Sequence, residues 1–355
     1  MRQFLQIAAC AAALAGLFAC NKLNEPQAVN APEDADATTI TKAAVANSPI
    51  LAVYVETNDV NPLNAMDYQL NGEPLIDIVE LFAANIHKET VNGQVRPTLY
   101  LNDKLANILE NGGVEEYVWP LQDVYIKVLL TILGDHQGIG LANMNATQAE
   151  QFATILAATV YHYGLDGIGF DDEYADYPYG SVNNTSYSNI LLSLREQLDE
   201  MGDGYLMTVF DWGYTNTISN AAAACIDYGY HGYFGSYVTS RSFPIANSGW
   251  SPVSFNLGQY NDPDRAEEYA ARAKNDGYGA MMCFNLRTRT NVTASTGETI
   301  SGNDPLPVFQ GLADGAYNGG TVTVPIGAGN RSRDVEIDSD GFTITYDMAL
   351  EWLAE

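Results

Sequence analysis

Residues 163–174 read Tyr-Gly-Leu-Asp-Gly-Ile-Gly-Phe-Asp-Asp-Glu-Tyr and carry three consecutive carboxylic acids, Asp171, Asp172 and Glu173. The apolar run Leu165–Phe170 before them has the length and composition of a buried strand. Side chains alternate along a strand, so Gly169, Asp171 and Glu173 share one face, and Ile168, Phe170 and Asp172 the other. Asp171 and Glu173 therefore stand side by side at the carboxyl end of a strand. Two carboxyls that close cannot both ionise freely; one pKa rises, and that group can act as an acid near neutral pH. Acids after a strand can also cap the next helix, and Asp172, on the opposite face, is expected to do so.

The elements needed to position this pair recur along the chain. Strand candidates are residues 50–56, 78–85, 126–133, 167–171, 205–211, 226–230, 253–257 and 280–285, and helix candidates are 102–111, 147–161, 187–201 and 263–276. Eight short apolar runs with intervening helical stretches are the pattern of an α/β fold, the (β/α)8 TIM barrel, whose active sites lie at the carboxyl ends of the strands. The link from Trp212 to Cys225 is short, so the helix after strand five is expected to be shortened or missing. The barrel is assigned to residues 47–316. Residues 317–355, with alternating stretches at 321–325 and 341–346, are expected to form a small hairpin-and-helix appendage.

The amino terminus has the form of an export signal. Arg2, the apolar run to Phe18 and Leu17-Phe-Ala-Cys20 match a secretory signal of the bacterial lipoprotein type over residues 1–19, too short to span a bilayer. Cys20 is then the lipidation site and 20–46 a flexible tether; a plain signal peptide with an incidental cysteine is the alternative. This predicts a lipoprotein of the outer membrane or cell surface of a Gram-negative-type bacterium, touching membrane through its lipid alone. With 44 acidic against 16 basic residues, nucleic acid is excluded as a partner. No cofactor is expected, and four histidines with no clustered His/Cys pattern point to no metal. Cys225 and Cys283 sit in apolar contexts and are expected to be buried thiols, with a disulfide left open. The domain is expected to be a monomer.

Asp166-Gly-Ile-Gly169-Phe-Asp171-Asp-Glu173 resembles the DGxDxDxE signature of glycoside hydrolase family 18, and the string 163–174 resembles that family's endo-β-N-acetylglucosaminidase branch. Residues 50–56, 81–86, 128–138 and 276–286 resemble further strands of that branch in the same order, so the resemblance covers roughly residues 48–316. It implies hydrolysis of the β-1,4 bond between the two core GlcNAc residues of N-glycans, with retention, through an oxazolinium formed by the substrate's own acetamido group; family 18 is a substrate-assisted exception among glycosidases. It implies Glu173 as general acid and base, Asp171 as partner of the acetamido N–H, and Tyr233 as the tyrosine that holds the acetamido group. Asp166 is structural. His231 stands where an amide is normal, and Gln137, within Asp135–Gly138, shapes the sugar site. Phe210, Trp212 and Asn285 are further candidates for substrate contact, with Asn85 and Trp250 weaker ones.

The chain departs from the pattern at Gly169, where the signature carries an inward Asp. Losing that like charge should leave Asp171 ionised and turned toward Glu173. Phe210 and Phe284 stand where this branch often has Tyr, removing two hydroxyls from the pocket wall. Two readings follow: a working endo-β-N-acetylglucosaminidase with an altered pocket, or a surface lipoprotein that binds N-glycans on the same barrel and cuts them poorly or not at all. Retention of Asp171, Glu173 and Tyr233 favours the enzyme.

Overall fold

A computed structural model of the protein describes residues 48–259, 261–294, 297–332 and 341–355. The expected signal peptide, the Cys20 lipidation site and the tether fall outside the described residues. Near-continuous apolar runs form β1 (Ile50–Glu56), β2 (Ile78–Val91), β4 (Lys127–Gly134), β5 (Gly167–Asp171) and β6 (Leu206–Asp211). Runs of this kind suit strands covered on both faces, as parallel sheets require. The shorter β7 (Tyr228–His231), β8 (Trp250–Ser251), β9 (Val253–Asn256) and β10 (Ala280–Phe284) extend the set, and β3 is Gln94–Leu101. Parallel pairing runs in the order β9, β10, β1, β2, β4, β5, β6, β7, β8. The two end strands of this curled α/β sheet, β8 and β9, are separated along the chain by Pro252 alone, a residue with no N–H to give to a ladder.

The helices are α1 (Asp103–Leu109), α2 (Trp119–Asp123), α3 (Ala146–Tyr163), α4 (Ser186–Met201), α5 (Asn220–Ala223), α6 (Pro263–Asn275), α7 (Leu306–Ala316) and α8 (Tyr346–Trp352). The α3 helix, which delivers the chain to β5, starts at a reciprocal capping box between Asn145 and Gln148 and stops at Gly164, held at φ 61°. Between β6 and β7 there is only a turn of 310-helix at Thr215–Thr217 and the four-residue α5, the shortening that the brief connection predicts. One large apolar cluster fills the space between sheet and helices. A smaller one, Ala52, Tyr54, Ile78, Leu129, Phe210, Tyr230, Ala280 and Met282, occupies the inner face of the sheet.

The chain differs from the sequence reading in several places, among them α2, β3 and β8, which the reading did not name. Strand β2 does not end at Asn85 but continues to Val91 and turns through Asn92-Gly93, both at positive φ, into antiparallel β3. The 11-residue α7 was not expected. The carboxyl-terminal stretches form no hairpin with each other: Val322–Thr323 pairs with Gln69–Leu70, while β11 (Phe342–Ile344) pairs with β3. The α8 helix follows β11, and its Trp352 stacks on His162 of α3 at 3.9 Å. Both described cysteines are free, but only Cys283 is buried; Cys225 is partly exposed. Among the described residues no helix is long and apolar enough to cross a membrane.

A repeated device ties the amino-terminal ends of the strands. An aspartate just before a strand accepts the backbone N–H of the preceding strand in the sheet: Asp77 from Leu51 at 2.6 Å, Asp166 from Val128 at 2.9 Å and Asp227 from Met207 at 2.8 Å. Asp166 also accepts from Gln122 Nε2 at 2.9 Å and from Lys127 Nζ at 2.7 Å. It therefore braces the sheet at the end remote from Asp171. Asp166→Ala orphans a buried donor and is expected to destabilise the protein by about 1–3 kcal/mol. Chemical denaturation measures this, and an unchanged midpoint would refute the brace.

Candidate active site

The inner face of the sheet is set by register. Tyr54 lies beside Glu80, Thr131 beside Gly169, Gly169 beside Thr208, and Phe210 beside Tyr230, so these residues share that face. At the carboxyl end of the strands they open into a cavity of about 480 Å3 lined by Tyr54, Glu56, Phe82, Asp171, Glu173, Tyr174, Phe210, Trp212, Gly232, Phe234 and Phe284. Three acids, Glu56, Asp171 and Glu173, therefore stand in a mostly aromatic cup of a size suited to a small ligand or a sugar unit. The aromatic wall is continuous: Phe234 stacks between Phe210 at 6.1 Å and Phe284 at 5.3 Å, and Phe82 meets Phe284 edge-on at 5.4 Å.

Asp171 is the last residue of β5 and is 3% exposed; its Oδ1 has no hydrogen-bond partner among the described residues. Burial, then the Glu173 and Asp172 charges, push its carboxyl well above the usual range. This corrects the expectation that loss of an acid at 169 leaves Asp171 simply ionised, because desolvation outweighs the missing like charge. Glu173, half-buried, is raised by burial and by Asp172. Its backbone carbonyl accepts from Gly134 N at 3.1 Å, and the next turn is held by His136 N to Tyr174 O at 2.6 Å and Gly138 N to Ala175 O at 2.9 Å. The loop after β4 thus supports the loop that carries the acid.

Asp172 caps no helix, since α4 begins only at Ser186. It accepts instead from the Tyr177 hydroxyl at 2.5 Å and from Tyr214 N at 2.8 Å, linking the loops after β5 and β6 behind the site.

Several expected contacts lie elsewhere. His231 is buried on the outer face, because inward Tyr230 forces its neighbour outward. Its Nε2 pairs with Pro252 O at 3.0 Å and its Nδ1 accepts from Tyr233 N at 3.1 Å, so the ring pins β7 to the Pro252 segment and cannot hold substrate. Burial pushes its pKa down to about 4, leaving it neutral. Tyr233 lies just past the end of β7; it is 61% exposed at the rim, edge-on to Trp212 at 5.8 Å, while Gly232 and Phe234 on either side line the cavity. Gln137 is exposed and outside the cavity, its carbonyl accepting from Lys88 Nζ at 2.5 Å. Asn285 lies outside the lining and accepts from Arg287 Nη1 at 3.1 Å; Asn85 also lies outside it. Trp250 is core, its indole donating to Val238 O at 3.0 Å. Phe210 and Trp212 do line the cavity, as does Phe284.

The sequence reading missed Tyr54, Glu56, Phe82, Tyr174, Phe234 and Glu80. A signal existed for Glu80, a lone acid inside the apolar run Ile78–Ala84. Its carboxyl is wholly buried, accepts from Thr131 Oγ1 at 2.9 Å and Thr208 Oγ1 at 2.6 Å, and passes directly over Gly169. Among the described residues no group of three or more His, Cys, Asp or Glu could hold a metal ion.

Burial of Glu80 pushes its pKa up to about 7 from 4.5, against the opposing pull of the two threonine hydrogen bonds. Between those values the folded protein binds more protons than the unfolded chain, so this group costs stability as pH rises from about 4.5 to about 7. Asp171 and Glu173 are shifted in the same direction and steepen the loss. Glu80→Gln should therefore gain on the wild type by roughly 3 kcal/mol between acid and alkaline conditions. Denaturation at pH 4.5 and pH 8 tests it; an equal mutant-to-wild-type difference at both would contradict it.

No protein-family model matches the chain. It is 34% identical over 289 residues to endo-β-N-acetylglucosaminidase F1 of Elizabethkingia meningoseptica, covering 77% of this chain and 82% of that protein. It is 34% identical over 249 residues to an endo-β-N-acetylglucosaminidase of Flavobacterium sp. (strain SK1022), covering 68% and 76%. Among solved structures it resembles Bacteroides thetaiotamicron EndoBT-3987 in complex with Man9GlcNAc2Asn substrate, at TM-score 0.64 and 26% identity over 78% of this chain and 67% of that one. For the same protein with Man5GlcNAc product the TM-score is 0.60, and the chain spans 62% of that protein's length. A family GH18 chitinase domain from the fern Peteris ryukyuensis, at TM-score 0.50 and 15% identity over 67% of this chain and 92% of that one, shares the fold alone. Identity and coverage at this level, on a cup that presents Asp171 beside Glu173, place the chain in the endo-β-N-acetylglucosaminidase family and make it a glycosidase.

Proposed function

We propose that the protein hydrolyses the β-1,4 bond between the two core GlcNAc residues of N-glycans, with retention, through an oxazolinium intermediate. The observation that carries this reading is the unpartnered Oδ1 of buried Asp171 on the floor of the cavity beside Glu173. A desolvated carboxyl oxygen with no internal donor is strongly favoured to accept one from a ligand, and an acetamido N–H supplies it. Burial and the Asp172 charge shift Glu173 toward its protonated form, which gives its proton to the glycosidic oxygen. As the N–H binds, it stabilises negative charge on Asp171, so the proton that the pair retains rests on Glu173. The acetamido carbonyl then attacks the anomeric carbon, the leaving sugar departs with the proton, and Glu173 takes a proton from the water that opens the oxazolinium. Phe82, Phe210, Phe234 and Phe284 present apolar faces to the sugar and exclude water from the cation. The N-glycan substrate is supported by the solved relative that holds Man9GlcNAc2Asn.

The same reading takes the curled sheet as a closed (β/α)8 barrel. Support comes from β8 and β9, which pair with β7 and β10 respectively and are joined through Pro252. It takes the protein as a monomeric lipoprotein anchored through Cys20 and displayed at the outer membrane, supported by the Leu17–Cys20 sequence. Radiolabelled palmitate incorporated by the wild type and absent from Cys20→Ser is the test of the anchor.

Incubation with a high-mannose glycoprotein followed by mass analysis tests the activity: one GlcNAc left on Asn is expected, and an intact glycan that co-elutes with the protein would speak for binding alone. Glu173→Gln should reduce release by about 10²–10⁴ while sparing glycan affinity. Asp171→Asn should slow release strongly yet still process a preformed sugar oxazoline. A covalent glycosyl-protein adduct would contradict the route.

A further inference from the structure

Glu80 has no part in the reaction as described, yet it lies on the inner face beneath the catalytic pair. From β2 its carboxyl reaches across β4 and β5 to bridge Thr131 and Thr208, the two residues registered on either side of Gly169. A Cβ built on Gly169 would overlap Glu80 Oε2 and stand 2.9 Å from Thr208 Oγ1. The space in which the side chain of residue 169 would lie is therefore filled by a carboxyl group from another strand. Position 169 shares its face with Asp171, two residues further up the strand.

Both acids act on one buried tyrosine. Tyr54 of β1 is registered beside Glu80, and its buried hydroxyl has no hydrogen-bond partner among the described residues. The Glu80 and Asp171 carboxyls both act electrostatically on that hydroxyl, as does Tyr230 of β7. The groups facing Glu80 are thus Tyr54 from β1, Thr131 from β4, Thr208 from β6 and Tyr230 from β7, with Asp171 of β5 also within electrostatic reach of Tyr54; β10 contributes Ala280 and Met282. No cation is among them. Two carboxyls in one water-poor interior cannot both ionise freely, and the one phenol that both act on can donate to only one.

We infer that Glu80 is a positioning residue for hydrolysis: it supplies from β2 the inner carboxyl that Gly169 omits from β5, and through Tyr54 it sets the charge and orientation of Asp171. While Glu80 holds its proton, Tyr54 is free to donate to Asp171 and Asp171 can ionise against the acetamido N–H. Once Glu80 ionises, its charge opposes that of Asp171 and competes for the same phenol. Glu80 burial raises its proton affinity to where this exchange falls in the neutral range. The inference rests on the glycosidase reading above and adds a residue to its machinery.

The test compares wild type, Glu80→Gln, Glu80→Ala, Gly169→Asp and the pair Glu80→Ala with Gly169→Asp on one high-mannose glycopeptide from pH 4 to pH 9. Glu80→Gln keeps a donor and an acceptor for both threonines but cannot ionise. Fixed in the neutral form, it should keep kcat and KM within about twofold of the wild type at acid pH and hold its rate up to about tenfold higher on the alkaline limb, the rate equivalent of one pKa unit on Asp171. Gly169→Asp alone should lower both activity and melting temperature, because two carboxyls meet in one space. The double variant, which moves the carboxyl from one strand to the other, should recover activity relative to Glu80→Ala. A folded Glu80→Gln with the wild-type kcat and pH profile overturns the inference while leaving the glycosidase reading intact. If Glu80→Gln does not fold, the double variant decides: a folded, active one supports the inference and a folded, inactive one overturns it. Unfolding of every Glu80 variant also overturns it, because Glu80 would then serve the fold alone. A wild type that releases no glycan removes both readings.

Discussion

The desolvation of carboxyl groups on the inner face of the sheet governs this structure. Glu80 and Asp171 are buried and Glu173 half-buried, and for each of them burial is the largest cause of an upward shift. In water these groups would all be ionised near neutrality and would hold no proton to give. Inside the sheet burial shifts each toward its protonated form, the form that acid catalysis of glycosidic cleavage requires. The arrangement works against folding above mildly acidic pH. The apolar contacts between sheet and helices must cover that deficit, and the large outer cluster has the extent to do so.

The outer layer and the inner layer divide the work. Val53, Val55, Val79, Leu81, Leu130 and Ile168 face the helices and supply cohesion. The residues next to them in the chain face inward and supply Tyr54, Glu80, Thr131, Gly169 and Asp171. Period-two alternation thus separates stability from chemistry on every strand. The paired aspartates at strand starts, Asp77, Asp166 and Asp227, brace the opposite end of the sheet by backbone hydrogen bonds, leaving the carboxyl ends to the catalytic loops.

Phe210 and Phe284 acquire a meaning in this setting. Each packs on Phe234, and with Phe82 they make a wall without hydroxyls around the two acids. A wall of this kind offers a sugar flat apolar faces and no hydroxyl of its own, so polar contact with the acetamido group falls to the other lining residues, Asp171 and Glu173 together with Tyr54, Tyr174 and Trp212.

Much of the positional information was local and could be read from the chain. The Leu165–Phe170 run before Asp171 and Glu173 is a strand ending in acids whatever packs around it, because alternation is a property of the extended backbone. The short Trp212–Cys225 link left room for little helix, and only α5 and a 310 turn formed there. The phase of β7 was another matter: nothing in Tyr228-Gly229-Tyr230-His231 says which residue faces in, and only pairing with β6, where Phe210 meets Tyr230, turned His231 outward. Glu80 shows the same limit more sharply. The sequence contains both an acid in an apolar strand and a glycine where a signature acid belongs, 89 positions apart, an interval read directly from the numbering. Local periodicity relates residues a few positions apart; it took the register of β2, β4, β5 and β6 to bring the Glu80 carboxyl into the space above Gly169.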